Sequence, residues 1–179
     1  MASKPGWTCF TVRLPEDFEN VESEEKPVSG ISVTSDETLI RILNDSRSIA
    51  VVGISDKPDV PAYTVPKYLQ GAGYRIYPVN PRLTEILGEQ AYPDLLAIPD
   101  PIDVVLIFRR SEHVPGIVDQ AIEIGAKVVW MQEGIINEPA AAVAEKAGLD
   151  AIMNTCMRVT HRRLSPRLTP NASQTDTST

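Results

Sequence analysis

A single α/β domain built on a doubly wound, mostly parallel sheet is the fold that the sequence predicts for residues 32–164. Three observations carry this expectation. Short apolar runs of strand length alternate with stretches of helical periodicity from Asp36 to Met153. One of those runs, DVVLIF at 103–108, is continuously apolar after its first residue, as a strand covered on both faces must be. The chain has 179 residues, 42% of them hydrophobic, which is enough to bury one full core.

The elements follow in order. DETLIRILNDS reads as a helix opened by Ser35 or Asp36, whose side-chain oxygens can cap the free amides of the first turn. RSIAVVGI is the first strand. YTVPKYLQGAG is a helix with Pro66 tolerated near its start and Gly71 or Gly73 at its end, and YRIYPVN is the second strand. A short piece around EQAYPDLLAIPDP precedes the DVVLIF strand. HVPGIVDQAIEIGA is an amphipathic helix, KVVWM a strand, EPAAAVAEKAG a further helix and LDAIM the last strand. Right-handed crossovers between parallel strands then place helices on both faces, the Rossmann-like arrangement.

The ends differ in composition. PEDFENVESEEK, residues 15–26, sets six acids against one lysine with little to bury, so residues 1–31 are expected to form a flexible acidic arm. The polar Ser/Thr/Pro stretch 165–179 is expected to be a disordered tail. MASKPGWTCF lacks the apolar stretch of a signal peptide and no segment approaches the length of a membrane span, so the expectation is a soluble, cytoplasmic protein with no membrane partner. A formal charge of -7 argues against general nucleic-acid binding, which depends on phosphate contacts. Cys9 and Cys156 form no CxxC or metal-ligand pair, so neither a disulfide framework nor a metal site is expected.

Ligands of such sheets bind beyond the carboxyl ends of the strands, where the strand order reverses. The residues just after each strand are therefore the informative ones, and they include Ser55, Lys57, Asn80, Arg82, Arg109, Arg110, Gln132 and Cys156. This rim suits an anion. Gly53 permits a tight turn, Ser55 offers a hydroxyl, and the helix that follows points its positive dipole end at the loop. A merely structural turn explains the same Gly-x-Ser. The loop has one glycine where a G-x-G-x-x-G turn has three, no GKS or GKT ends it, and the second strand closes on Val79-Asn80-Pro81-Arg82 rather than on a ribose-binding acid.

Three separated stretches in order, VVGISDKPDVPAYTVPKYLQGAGYRIYPVNPR, then DVVLIFRRSEHVPGIVDQAIEIGAKVVWMQEGIINEPAAAVAEKAG, then MNTC, closely resemble the small stand-alone CoA-binding proteins of bacteria and archaea. Those are similar in turn to the CoA-binding domain of the succinyl-CoA synthetase α subunit. The resemblance covers about Leu43 to Leu164 and implies coenzyme A as the ligand. It implies that the loop of Gly53, Ser55, Asp56 and Lys57 meets the phosphates. Val79, Asn80, Pro81 and Arg82 would line the adenosine and phosphate end. Phe108, Arg109 and Arg110 would cover the nucleotide, and Gln132, Glu133 and Gly134 would face the pantetheine arm. The family carries lysine after VNP where this chain has Arg82, which keeps the charge and adds a planar fork.

Plainer roles compete for several of these residues. Arg109 and Arg110 are either ligand contacts, the favoured reading, or a solvated strand end. Trp130 is expected in the core, as is at least one of Tyr63 and Tyr68, whereas His113 should start a helix and His161 should lie on the surface. Cys156 is read either as a buried inert thiol, which is favoured, or as a thiol that forms a mixed disulfide with CoA, helped by Arg158. Succinyl-CoA synthetase acts through a phosphorylated histidine on a further domain for which this chain has no length. No Ser-His-acid set or paired carboxylates replace it, so a binding or regulatory module is expected rather than an enzyme. The alternatives are an NAD(P)-dependent oxidoreductase and a CoA-binding partner subunit of an acyl-CoA ligase; a homodimer is a further possibility.

Overall fold

The computed structural model describes residues 34–169; the expected acidic arm at 1–31 and residues 170–179 lie outside them. Five parallel strands form the sheet: β1 (Ser48–Val52), β2 (Arg75–Val79), β5 (Val104–Ile107), β6 (Val128–Met131) and β7 (Asp150–Ile152), in the spatial order β2-β1-β5-β6-β7. This is the expected α/β, Rossmann-like doubly wound sheet.

Alternation along the strands divides the core into two layers. Ile49, Val51, Ile76, Val104, Leu106, Val128, Trp130 and Ile152 point to one face, where α1 (Asp36–Asp45), α2 (Pro61–Gly71) and α5 (Met157–Leu164) cover them. Ala50, Val52, Tyr77, Val79, Val105, Ile107, Val129 and Met131 point to the other, under α3 (Val114–Glu123), α4 (Glu138–Lys146) and the chain around Leu95, Ile98 and Ile102. Because both faces are covered, the strands carry no polar alternation, which is why DVVLIF reads as one apolar run. Trp130 is fully buried, as expected, and its indole nitrogen donates to the Thr155 carbonyl at 2.8 Å. Both Tyr63 and Tyr68 pack, half-buried, against the layer of α1, α2 and α5.

Local readings fared unevenly. Ser35 is the α1 cap, accepting from the Thr38 amide at 3.3 Å. The helix α2 begins at Pro61, so Pro66 lies in its interior rather than near its start. Gly73 follows it with φ of +93°, the left-handed conformation that ends a helix. Two elements have no counterpart in the sequence reading. A hairpin of β3 (Glu85–Ile86) and β4 (Glu89–Gln90) turns through Leu87 and Gly88, both at positive φ, and a leucine there hides the usual Asn-Gly or Asp-Gly signal. The helix α5 is absent from the expected elements because its charged sequence masks the buried stripe of Met157, Thr160 and Leu164.

This helix corrects the surface assignment of His161. Its imidazole is half-buried, with Nδ1 3.0 Å from the Tyr68 hydroxyl and edge contacts to the rings of Tyr68 and Tyr74. Burial holds its pKa below the ordinary value. α5 is also tied to α1 by a two-pronged Arg163–Asp36 pair at 2.7 and 2.8 Å. Beyond α5, the stretch expected to open the tail forms a 3-10 turn at Ser165–Arg167, and Thr169 donates to Asn44. Among the described residues no helix is long and apolar enough to cross a membrane.

At the amino ends of the strands Asp103 joins three of them. Its carboxylate accepts from the amides of Arg47 and Ser48, from the Ser48 hydroxyl and, at 2.7 Å, from Lys127. Although partial burial opposes the charge, these hydrogen bonds outweigh it and hold the carboxyl below its usual range.

Two expectations follow from these contacts. Asp103→Ala should lower unfolding stability in urea by about 2–3 kcal/mol, because it strips charge-assisted bonds from the partly buried amide and hydroxyl of Ser48 and from the exposed amide of Arg47. For His161, a depressed folded-state pKa means that the unfolded chain binds the proton more readily. Stability is therefore retained above about pH 6.5 and lost as pH falls below it. The melting temperature of wild-type protein should drop between about pH 7.5 and 5.5, and His161→Phe should flatten that slope.

Candidate functional site

The strand order reverses at β1. α2 carries the chain from β1 to β2 on one side, and the next parallel strand, β5, pairs on the other. A crevice must open where the two loops leave in opposite directions. A cleft of about 270 Å³ lies there, lined by Val52, Val79, Pro81, Pro93, Asp94, Arg109, His113, Ile117 and Gln120.

The loop after β1 is built by distant contacts. Gly53 has φ of +86°, and a Cβ there would lie 3.0 Å from Arg109 Cδ and 3.1 Å from the Phe108 carbonyl. Only glycine lets Arg109 cross this close. The Ser55 amide donates to the Ala62 carbonyl at 3.2 Å. That carbonyl is the one Pro66, lacking an N–H, leaves unused within α2, so a helix-breaking residue supplies the anchor for the loop. The Ser55 hydroxyl accepts from the Lys57 amide at 3.2 Å, while Asp56 and Lys57 are exposed. The first turn of α2 offers fewer free amides than expected, since Pro61 has none and Tyr63 and Thr64 donate to the Val60 carbonyl.

Asn80 fastens this loop to its neighbour. Its Nδ2 donates to the Ile54 carbonyl at 2.7 Å, its Oδ1 accepts from the Arg82 amide at 3.0 Å, and its own amide donates to Tyr92 at 2.9 Å. Asn80 therefore positions the rim through bonds within the protein. Val79 and Pro81 line the cleft, and Arg82 stands exposed beside it. Past β5, Phe108 turns half-buried toward the α2 and α5 side, and Arg109 lines the cleft. Arg110 leans to Glu112 at 4.0 Å, and His113, just ahead of α3, lies 3.6 Å from the same carboxylate. Arg82 and Arg109 have no ion-pair partner among the described residues.

The remaining expected residues form a second group beyond β6 and β7 and do not line the cleft. The Gly134 amide, at φ of +83°, donates to Asn154 Oδ1 at 2.8 Å; the Asn154 amide donates to Ile135, and that of Thr155 to Met131. Glu133 is exposed. Gln132 is only 4% exposed and its Nε2 has no hydrogen-bond partner. Cys156, half-buried, precedes α5 without capping it and packs against the layer of α1, α2 and α5.

Sequence reading missed Pro93, Asp94, Ile117 and Gln120 as cleft residues. For α3 a signal existed: His113, Ile117 and Gln120 recur at helical spacing and form one stripe. Asp94 and Gln120 also hold the facing loop, accepting from the amides of Ala97 and Leu95.

Known proteins share this architecture. A protein from Pyrococcus horikoshii OT3 superposes with a TM-score of 0.72 at 44% identity, over 79% of this chain and 98% of that one. The Bacillus subtilis protein YneT is 46% identical over 120 residues, 67% of this chain and 89% of its own length. The α subunit of acetate–CoA ligase (ADP-forming) I from Pyrococcus furiosus is 35% identical over 96 residues, 50% of this chain but only 21% of the ligase subunit. The family described as CoA binding domain matches residues 47–162, a span that takes in all five parallel strands and both groups of rim residues. The chain belongs to the CoA-binding domain family, the part it has in common with acetate–CoA ligases.

Proposed function

We propose that the protein binds coenzyme A or an acyl-CoA at the carboxyl ends of the sheet strands, as a binding or regulatory module without catalysis of its own. The observation that carries this reading is the cleft at the strand-order reversal, bordered by Gly53 and by the guanidiniums of Arg82 and Arg109, which have no ion-pair partner among the described residues. Such a border suits an adenosine diphosphate with a further phosphate on its ribose. The nucleotide lies across Val52, Val79 and Pro81. Its phosphates meet the Gly53–Lys57 loop, Arg82 and Arg109, and the pantetheine arm runs toward Gln132 and Cys156. The sequence pattern offers no Ser-His-acid set and no paired carboxylates on one predicted element for thioester chemistry, which favours binding over turnover.

A second reading has its own support. The ligase α subunit from Pyrococcus furiosus contains a stretch similar to this one, so the chain could hold CoA for catalytic residues brought by a larger acyl-CoA ligase partner. Co-purification with an ATP-binding ligase subunit would favour it; a monodisperse homodimer or monomer would count against it.

Calorimetric titration under reducing conditions tests the ligand. CoA should bind at least tenfold more tightly than dephospho-CoA or NAD, and Arg82→Ala should remove most of the difference between CoA and dephospho-CoA. Binding of NAD without CoA would move the oxidoreductase reading to the front. An inert Cys156 thiol is the favoured reading; the competing chemistry is attack of its thiolate on CoA disulfide, giving a protein–CoA disulfide and releasing one CoA thiol. Intact-mass and peptide analysis decide between the two, an adduct on Cys156 with Cys9 as the internal control marking the reactive thiol. Absence of that adduct would leave Cys156 as an inert thiol.

A further inference from the structure

We propose that the outer face of α4, together with the hollow it shares with α3, is the contact through which two copies of this chain form a twofold-symmetric dimer. The starting point is an uncovered hollow with mostly apolar walls. A cavity of about 130 Å³ lies between the two helices, lined by Pro115, Val118 and Asp119 of α3 and by Pro139, Ala140 and Val143 of α4. Val143 is 48% exposed, although it is a large apolar side chain. This hollow is separate from the ligand cleft. His113, Ile117 and Gln120 line the cleft, whereas Pro115, Val118 and Asp119 recur on the opposite side of α3. A partner seated on the hollow leaves the cleft open.

The residues beside the hollow say what the partner is. Glu138, Ala142 and Lys146 follow one another four positions apart, so they form one ridge along α4. All three are exposed, and neither charge has an ion-pair partner among the described residues. Ala140, Ala141 and Ala144, on the other side of the helix, are buried in the core. The ridge therefore carries an acid at one end, a base about 12 Å away at the other, and a small residue midway.

A surface with this pattern is complementary to itself. Turning a second copy by half a rotation about an axis through Ala142, at right angles to the helix, sets the two α4 helices antiparallel. Glu138 then meets the partner's Lys146, Lys146 meets the partner's Glu138, and the alanines at the centre let the two backbones approach closely. A parallel pair would set like charges against each other. The same rotation brings the partner's Val143 level with position 141, between Pro139 and Val143, which is the stretch of α4 that walls the hollow. Each copy offers one valine and receives one, so the contact closes at two chains.

Sedimentation velocity of the 179-residue chain over a concentration series tests the inference, and should show a monomer–dimer equilibrium. Ala142→Arg sets bulk and like charge on the twofold axis. It should weaken dimerisation by about tenfold or more and leave the far-ultraviolet circular dichroism spectrum unchanged, because the position is exposed. Charge reversal discriminates further. Glu138→Lys and Lys146→Glu should each be monomeric alone, since each variant faces itself with like charges, and should dimerise when mixed, since the mixed pair restores both contacts. Unaltered dimerisation of Ala142→Arg, or no recovery on mixing the two charge variants, overturns the inference. Wild-type chain that stays monomeric throughout the series also overturns it, and leaves this face to a different protein.

Discussion

The pairing of β1 on both of its edges is the constraint from which the rest follows. With β2 on one side and β5 on the other, and apolar layers above and below, β1 can send its loop in one direction only, past its carboxyl end. The crossovers to β2 and to β5 then diverge and leave a crevice floored by Val52 and Val79. Asp103 acts at the opposite end. By holding the starts of β1, β5 and β6 level, it keeps their carboxyl ends level too, so that loops distant in sequence share one rim.

The loops are shaped by residues that break local rules. Pro66 costs α2 one internal hydrogen bond, and the carbonyl it frees holds Ser55. Gly53 weakens a strand end, and the space it leaves admits Arg109. Asn80 spends its side chain on Ile54 and Arg82, tying the end of β2 to the loop after β1. In each case local stability is exchanged for a fixed position of the rim.

The rim has two chemical characters. Beyond β2 and β5 it presents guanidiniums, two of them without an ion-pair partner among the described residues; beyond β6 and β7 it presents a buried amide, a thiol and backbone turns held by Asn154. A ligand with an anionic nucleotide end and a long neutral arm has the same polarity. That correspondence, together with membership of the CoA-binding domain family, gives the proposed orientation its physical basis.

Much of this was legible in the chain. Strand and helix alternation and the burial of Trp130 are written locally, since apolar periodicity records which faces meet the core. The hairpin through Leu87 was hidden because its turn lacks the residues that usually signal it, and α5 because its arginines mask a narrow buried stripe. By itself the sequence determined the doubly wound sheet and the residues offered at its rim. Only the tertiary structure decided that those residues fall into two groups, that Pro93, Asp94, Ile117 and Gln120 join the cleft, and that His161 is half-buried between two tyrosines. The reason is physical: these outcomes rest on contacts such as Gly53 with Arg109 and Tyr68 with His161, between residues far apart in the chain, and no local pattern encodes them.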